Sequence, residues 1–242
     1  MITRAVILAA GRGTRLGAIT ANYPKALLDV AGRPVVVRIL DGLAAAGIDD
    51  VCIVTGHFAS LVESELGNGG ESGLRLSYVR QERLEGTARA LALARGFAGS
   101  EKFVFALGDI LVRPGNYRRV IKAAALATAV VAVNEVDDPS AGAAVYLDPG
   151  DPALVTRIVE KPPPGTSTTR WNNAGFGVLG PEIWPAIDAL KPSARGEYEF
   201  TDAIAALVDS GERVVAVPVE GPWFDVGTPG DLERARAEFA RR

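Results

Sequence analysis

The sequence holds one cysteine, one histidine and one methionine in 242 residues, and these scarcities exclude several chemistries before any motif is read. A single thiol, Cys52, cannot build a disulfide framework. With His57 as the only imidazole there is no zinc cluster, and the serines lack the partners of a hydrolase triad. Cys52 lies in the apolar run 51–54 and reads as a buried strand thiol. His57 follows Thr55-Gly56 at a strand-to-helix turn and reads as structural or capping. No stretch approaches the roughly 18 uninterrupted apolar residues of a membrane span, and residues 1–10 lack the charged-then-apolar layout of a secretory leader. The expectation is a soluble, cytoplasmic protein with no membrane partner.

An excess of either charge is also missing. The 26 Lys and Arg against 29 Asp and Glu leave a net charge of −3, a poor basis for binding nucleic acid by counterion release. The balance is uneven along the chain, however. No acid precedes Asp29, whereas Arg4, Arg12, Arg15 and Lys25 all do, so the first thirty residues are suited to phosphate. The length and a 48% hydrophobic content fit one compact α/β domain over residues 1–242, with no repeat of 20 to 50 residues.

Short β-branched runs at 5–10, 51–55 and 74–79 alternate with helix-period segments at 35–46 and 58–66. A helix over 88–97 and a buried strand over 103–107 follow. This order predicts a Rossmann-like, mostly parallel sheet flanked by helices. Beyond Asp109 the helical pattern weakens and strand-like runs crowd together at 128–136, 143–147, 154–159 and 174–179, which predicts an added antiparallel portion. Helices at 181–190 and 200–209, a strand at 214–219 and a closing amphipathic helix complete the reading. In that last helix Leu232, Ala235 and Phe239 share one face. The four glycines within Gly67–Gly73 predict a surface turn.

The first strand runs into Gly11-Arg12-Gly13-Thr14-Arg15-Leu16, placing glycines and cations at a strand's carboxyl end, where open α/β sheets bind ligands. Its third glycine, Gly17, comes one residue late for the dinucleotide fingerprint, and no Gly-Lys-Ser/Thr follows. What it offers is Arg15 with Lys25, a cationic pair able to hold a triphosphate and its pyrophosphate leaving group.

The run 8–16 followed by Pro24-Lys25-Ala26-Leu27 closely resembles the signature of the sugar-phosphate nucleotidyltransferases. The resemblance continues, in the family's order, through Gln81 with Gly86-Thr87-Ala88, Leu107-Gly108-Asp109, Glu160-Lys161-Pro162, Asn173-Ala174-Gly175 and Trp223-Phe224-Asp225-Val226-Gly227-Thr228-Pro229. It implies the nucleotide-diphospho-sugar transferase fold, with the antiparallel portion binding sugar. It also implies transfer of a nucleoside monophosphate from a triphosphate to a sugar 1-phosphate. Ala9, Ala10, Gly11, Gly13, Thr14, Arg15 and Lys25 would bind nucleotide, with Gln81, Gly86 and Thr87 around the base. Asp109 and Asp225 match the aspartates that hold magnesium in relatives, and a site of oxygen ligands without Cys or His suits Mg²⁺ better than zinc.

The same resemblance places Lys161 on the sugar 1-phosphate, Glu160 on a sugar hydroxyl, Asn173 on the sugar and Gly142 beside it. Arg15, Lys25, Asp109, Lys161 and Asp225 form the implied catalytic set. Two positions depart from the pattern: Ala141 replaces an aromatic residue, and Ile110 a polar one. Glu197 and Glu199 border the implied sugar pocket, although residues 199–202 also read as a helix start capped by Thr201. Two rival readings stay open, a nucleotidyltransferase for another phosphorylated alcohol such as phosphocholine and a non-catalytic nucleotide-binding relative. A homo-oligomer is also left open.

Overall fold

The computed structural model describes residues 1–69 and 72–241, so Gly70 and Glu71 of the expected turn lie outside the described residues. The first half builds β1 (Arg4–Leu8), a short hairpin of β2 (Asp29–Val30) and β3 (Arg33–Pro34), α1 (Val35–Ala45), β4 (Asp50–Thr55), α2 (Ala59–Leu66) and β5 (Arg75–Arg80). Then come α3 (Thr87–Leu93), α4 (Arg95–Ala98) and β6 (Phe103–Leu107). β1 pairs in parallel with β4 and β6, and β4 with β5. Both faces of β1, β4 and β6 are covered, which is why they read as nearly unbroken apolar runs, whereas β5 at the edge is half-exposed. Ala5 and Ile7 face one core with Ile39 and Leu43 of α1, while Val6 and Leu8 face the other with Leu91 of α3.

The second half adds β7 (Ile110–Val112), α5 (Gly115–Ala123), β8 (Ala129–Glu135), β9 (Ala143–Leu147), β10 (Val155–Glu160), β11 (Trp171–Leu179), α6 (Ile183–Ala189), α7 (Phe200–Asp209), β12 (Val214–Pro218), β13 (Trp223–Asp225) and α8 (Pro229–Phe239). β11 is the hinge of the sheet. It runs antiparallel to β6, β8 and β9, and so joins the parallel half to the antiparallel portion. Its register against β8 shifts between Asn173 and Gly177, a bulge that re-aims the side chains at its start. The mixed sheet of nine strands is the fold expected from the residue pattern.

Three local features differ from that reading. The helix expected over 88–97 is two, because Ala94 leaves helical geometry at φ −88, ψ 4. Helix α5 stands where none was expected, although Tyr117, Val120, Ile121 and Ala124 carry the i, i+3, i+4, i+7 spacing of a buried face. Finally, Trp223–Asp225 is a strand and not a turn, since it pairs antiparallel with β7 in a two-stranded ribbon.

The tightness of the β6–β11–β8 junction gives a direct test. A Cβ on Gly177 would meet the Val130 carbonyl oxygen at 2.0 Å and a Phe105 ring carbon at 2.8 Å, whereas one on Gly96, in exposed α4, would meet nothing within 4 Å. Gly177→Ala should cost about 3 kcal/mol or more by overpacking, and Gly96→Ala should stabilise by about 0.5–1 kcal/mol through helix propensity. Urea unfolding midpoints of the two variants check both signs.

Candidate active site

One half of the candidate site is assembled from strand ends. After β1 the loop lies open, with Gly11, Arg12, Thr14 and Arg15 exposed and Leu16 buried as its anchor. Gly13 takes φ +66, its carbonyl accepts from the Thr20 hydroxyl at 2.8 Å, and a Cβ there would stand 3.2 Å from Lys25 Cβ. The loop is thus folded onto the Lys25 stem, which only a residue free of a side chain permits. Ala9 donates to Val54 at 2.9 Å, and Ala10 accepts from the His57 amide. Arg4, at the far end of β1, donates to the Phe97 and Ala98 carbonyls and plays no part here.

Asp109 sits in the two-residue turn between β6 and β7, and Asp225 ends β13. The ribbon pairs Ile110 with Asp225, and the Val226 amide donates to the Asp109 carbonyl at 2.9 Å. Two carboxylates more than a hundred residues apart are thereby brought side by side. The Lys25 ammonium, only 11% exposed, lies 2.5 Å from Asp109 Oδ2 and 3.7 Å from Asp225 Oδ1. Arg15, 62% exposed, reaches Asp225 Oδ2 at 3.6 Å. Burial, then the charge of Asp109, pushes the Asp225 carboxyl above the usual carboxylate range against the pull of Lys25 and Arg15.

Asp225 Oδ1 is buried with no hydrogen-bond partner among the described residues. An orphaned carboxylate oxygen beside a second carboxylate, both facing one cation, fits a hard divalent ion. Among the described residues no group of three or more His, Cys, Asp or Glu could hold a metal.

The other half opens from the same cavity, of about 600 Å³, lined by Arg15, Asp109, Asp225, Glu160, Lys161 and Asn173 among others. Glu160 ends β10 and is pushed up to about 7 by burial, then by the charge of Glu199, with Lys161 and Arg195 pulling the other way. Lys161 holds a left-handed φ of +41, a conformation that costs a non-glycine residue about 1–3 kcal/mol and gathers at functional sites. Its ammonium lies 3.7 Å from Glu160 Oε1. Asn173 uses its side-chain oxygen on the Gly175 amide at 3.0 Å, and its amide nitrogen donates to no group among the described residues. Gly142 lines the cavity, but its own N–H donates to the Pro139 carbonyl at 3.0 Å.

Arg195 was missed at the sequence level. It lies 2.6 Å from Glu199 Oε1 and 3.8 Å from Glu160 Oε1, so it bridges two carboxylates that line the cavity. The available signal was its place four residues before Glu199. Thr87 differs from expectation. Its hydroxyl donates to Glu199 Oε2 at 3.2 Å and accepts from the Phe200 amide at 3.0 Å. It is therefore Thr87, from outside the helix, and not Thr201 that caps α7; Thr201 is buried within the helix. Gln81 lies apart, on a second cleft with Gly56 and Arg80, its amide donating to the Gly86 carbonyl at 3.2 Å. Gly86 is pressed against residue 198, whose backbone nitrogen and oxygen a Cβ would meet at 2.6 and 2.4 Å.

The family model described as nucleotidyl transferase matches residues 4–242. The chain is 36% identical over 231 residues to a glucose-1-phosphate thymidylyltransferase of Streptomyces antibioticus, an alignment covering 95% of this chain and 64% of that protein. It is 32% identical over 239 residues to a UTP–glucose-1-phosphate uridylyltransferase of Haloferax volcanii, covering 96% and 94%. Among solved structures, a UDP-glucose pyrophosphorylase from Acinetobacter baumanii superposes with a TM-score of 0.84 at 26% identity, over 99% of this chain and 93% of that one. The chain thus spans about two thirds of the length of the Streptomyces protein and nearly all of the other two. No helix among the described residues is long and apolar enough to cross a membrane.

The raised Glu160 carboxyl sets a pH dependence whose sign is fixed. A group that binds its proton more tightly folded than unfolded favours folding below its ordinary value of 4.5, and that advantage is lost as pH rises through about 7. At about 1.4 kcal/mol per pH unit, the wild-type protein at pH 8 carries a cost of order 1–3 kcal/mol that Glu160→Gln escapes. The variant should therefore melt higher than wild type at pH 8 and level with it near pH 4.5, read by thermal denaturation across that range.

Proposed function

Because the chain belongs to the nucleotidyl transferase family, we propose that it transfers the nucleoside monophosphate of a triphosphate to a sugar 1-phosphate and releases pyrophosphate. The observation that carries this reading is the single cavity in which Asp109 and Asp225, bridged by Lys25, stand across from Lys161 and Glu160. The nucleophile, a phosphate monoester, is already an anion. The reaction needs no strong general base, and the task of the site is to offset charge and align the reacting groups.

The parts divide accordingly. Lys161, with Arg195 behind it, holds the acceptor phosphate so that one of its oxygens meets the α-phosphorus. The bond from that phosphorus to the bridging oxygen of pyrophosphate then breaks as the new phosphorus–oxygen bond forms. Arg15 and Lys25 receive the charge that builds on pyrophosphate. Asp109 and Asp225 would hold Mg²⁺, which when bound neutralises triphosphate charge and polarises the phosphorus under attack. Glu160 and Asn173 orient the sugar through its hydroxyls. Because the Gln81 amide donates to Gly86, its oxygen is left to accept the imide N–H of uracil or thymine, in keeping with the uridylyl and thymidylyl relatives.

The test is pyrophosphate release with dTTP, UTP, GTP, CTP and ATP against a panel of sugar 1-phosphates, with glucose 1-phosphate first, in Mg²⁺. Turnover should be greatest with dTTP or UTP. Asp109→Ala and Asp225→Ala should each lose about 10²–10³-fold in kcat, the scale of removing a preorganised charge from the reacting centre. Undiminished turnover in either variant would overturn the metal assignment.

A further inference from the structure

Asn172 has no part in the reaction as set out above, yet its side chain ties together three pieces of the acceptor half. It is 5% exposed and sits at the bulged start of β11. Its Oδ1 accepts from the Ala143 amide at 3.1 Å. Its Nδ2 donates to Asn134 Oδ1 at 3.1 Å and to the Asn173 carbonyl at 2.9 Å. One buried amide therefore fixes the start of β9, the end of β8 and the backbone of a sugar-facing residue.

The grip extends to Lys161. A Cβ on Gly142 would stand 2.2 Å from Asn172 Oδ1, so glycine at 142 is what lets the amide reach Ala143. The Gly142 carbonyl in turn accepts the Lys161 amide at 2.7 Å, and Lys161 holds its left-handed backbone at that point. A strained residue keeps its conformation only where its surroundings over-determine it. Here the surroundings lead, by two hydrogen bonds and one covalent step, back to Asn172.

We propose that Asn172 is a positioning residue for the acceptor: it holds Gly142 and Ala143 in place, and through them the backbone that aims Lys161, while fixing Asn173 directly. The inference rests on the reading of Lys161 and Asn173 as acceptor contacts. The nucleotide side receives nothing from this network, so the consequence is selective.

The experiment pairs Asn172→Ala with Gly142→Ala, which pushes on the same amide from the other side, and adds the double variant. NMR hydrogen exchange reads the positioning without substrate, and steady-state kinetics with dTTP and α-D-glucose 1-phosphate read its effect. In either single variant the Ala143 and Lys161 amides should exchange faster, while those of β1 keep their protection. The KM for glucose 1-phosphate should rise roughly tenfold or more, with the dTTP KM within about twofold, as displacement of a positioned group predicts. The double variant should be no worse than Asn172→Ala alone, since neighbours sharing one contact are not additive. The inference is overturned if the Lys161 amide keeps its protection in both single variants, or if the two KM values rise together. A wild-type protein that releases no pyrophosphate from any pair in the panel counts against the proposed function, and the exchange data then decide the positioning claim by themselves.

Discussion

The pairing of Ile110–Val112 with Trp223–Asp225 is the constraint from which the site follows. Three residues on each side close a loop of more than a hundred, and the ladder leaves Asp109 and Asp225 adjacent at its end. Adjacent carboxylates repel, and burial of Asp225 sharpens the penalty. The Lys25 ammonium answers it by facing both. Lys25 is in turn held by the Gly13 turn and its Thr20 bond, so the phosphate loop, the lysine and the two acids form one electrostatic unit whose geometry is set by a strand pair. Capping reinforces it. Thr228 and Asp231 close a reciprocal capping box at the start of α8, three residues beyond Asp225, which fixes how the chain leaves the ribbon.

The Glu160 side of the cavity solves the opposite problem. There the carboxylates, Glu160 and Glu199, are more deeply buried, and Arg195 lies between them. Burial pushes Glu199 up, but hydrogen bonds from Arg195 and Glu197 and the nearby cations bring it below its usual value, while Glu160 rises. The two carboxyls are thus pushed in opposite directions by their surroundings, with Arg195 held against both.

Much of this was legible in the residue order. The βαβ pattern, the strand at Ala143–Leu147 and the helix at Phe200–Asp209 were read with bounds at or within a residue or two of those observed, and the closing helix by its apolar face, because each is periodic and flanked by turn residues. Arg15, Lys25, Asp109, Asp225, Glu160, Lys161 and Asn173 were legible as motifs and do line or border one cavity. What escaped detection was long-range in origin. β13 is three residues long and has no pattern of its own, so only its partner β7 makes it a strand. Thr87 read as a nucleotide-binding residue beside Gln81 and Gly86, but a contact 112 positions away takes its hydroxyl. The roles of Asn172 and Arg195 arise from who their neighbours are, which neither period nor composition records.

Those long-range contacts bear on how the two halves of the cavity act together. Residues 85–88 and 198–200 are joined by the Tyr198 amide to the Glu85 carbonyl, the Ala88 amide to the Tyr198 carbonyl, and the Thr87 hydroxyl to Glu199 and Phe200. The first of these segments leads back to Gln81 through Gly86; the second carries Glu199, on which Arg195 depends. Gly86 allows the approach only because it has no side chain. The packed interior transmits small displacements without absorbing them, so the strand end at Gln81 and the helix start at Glu199 are linked through shared backbone contacts.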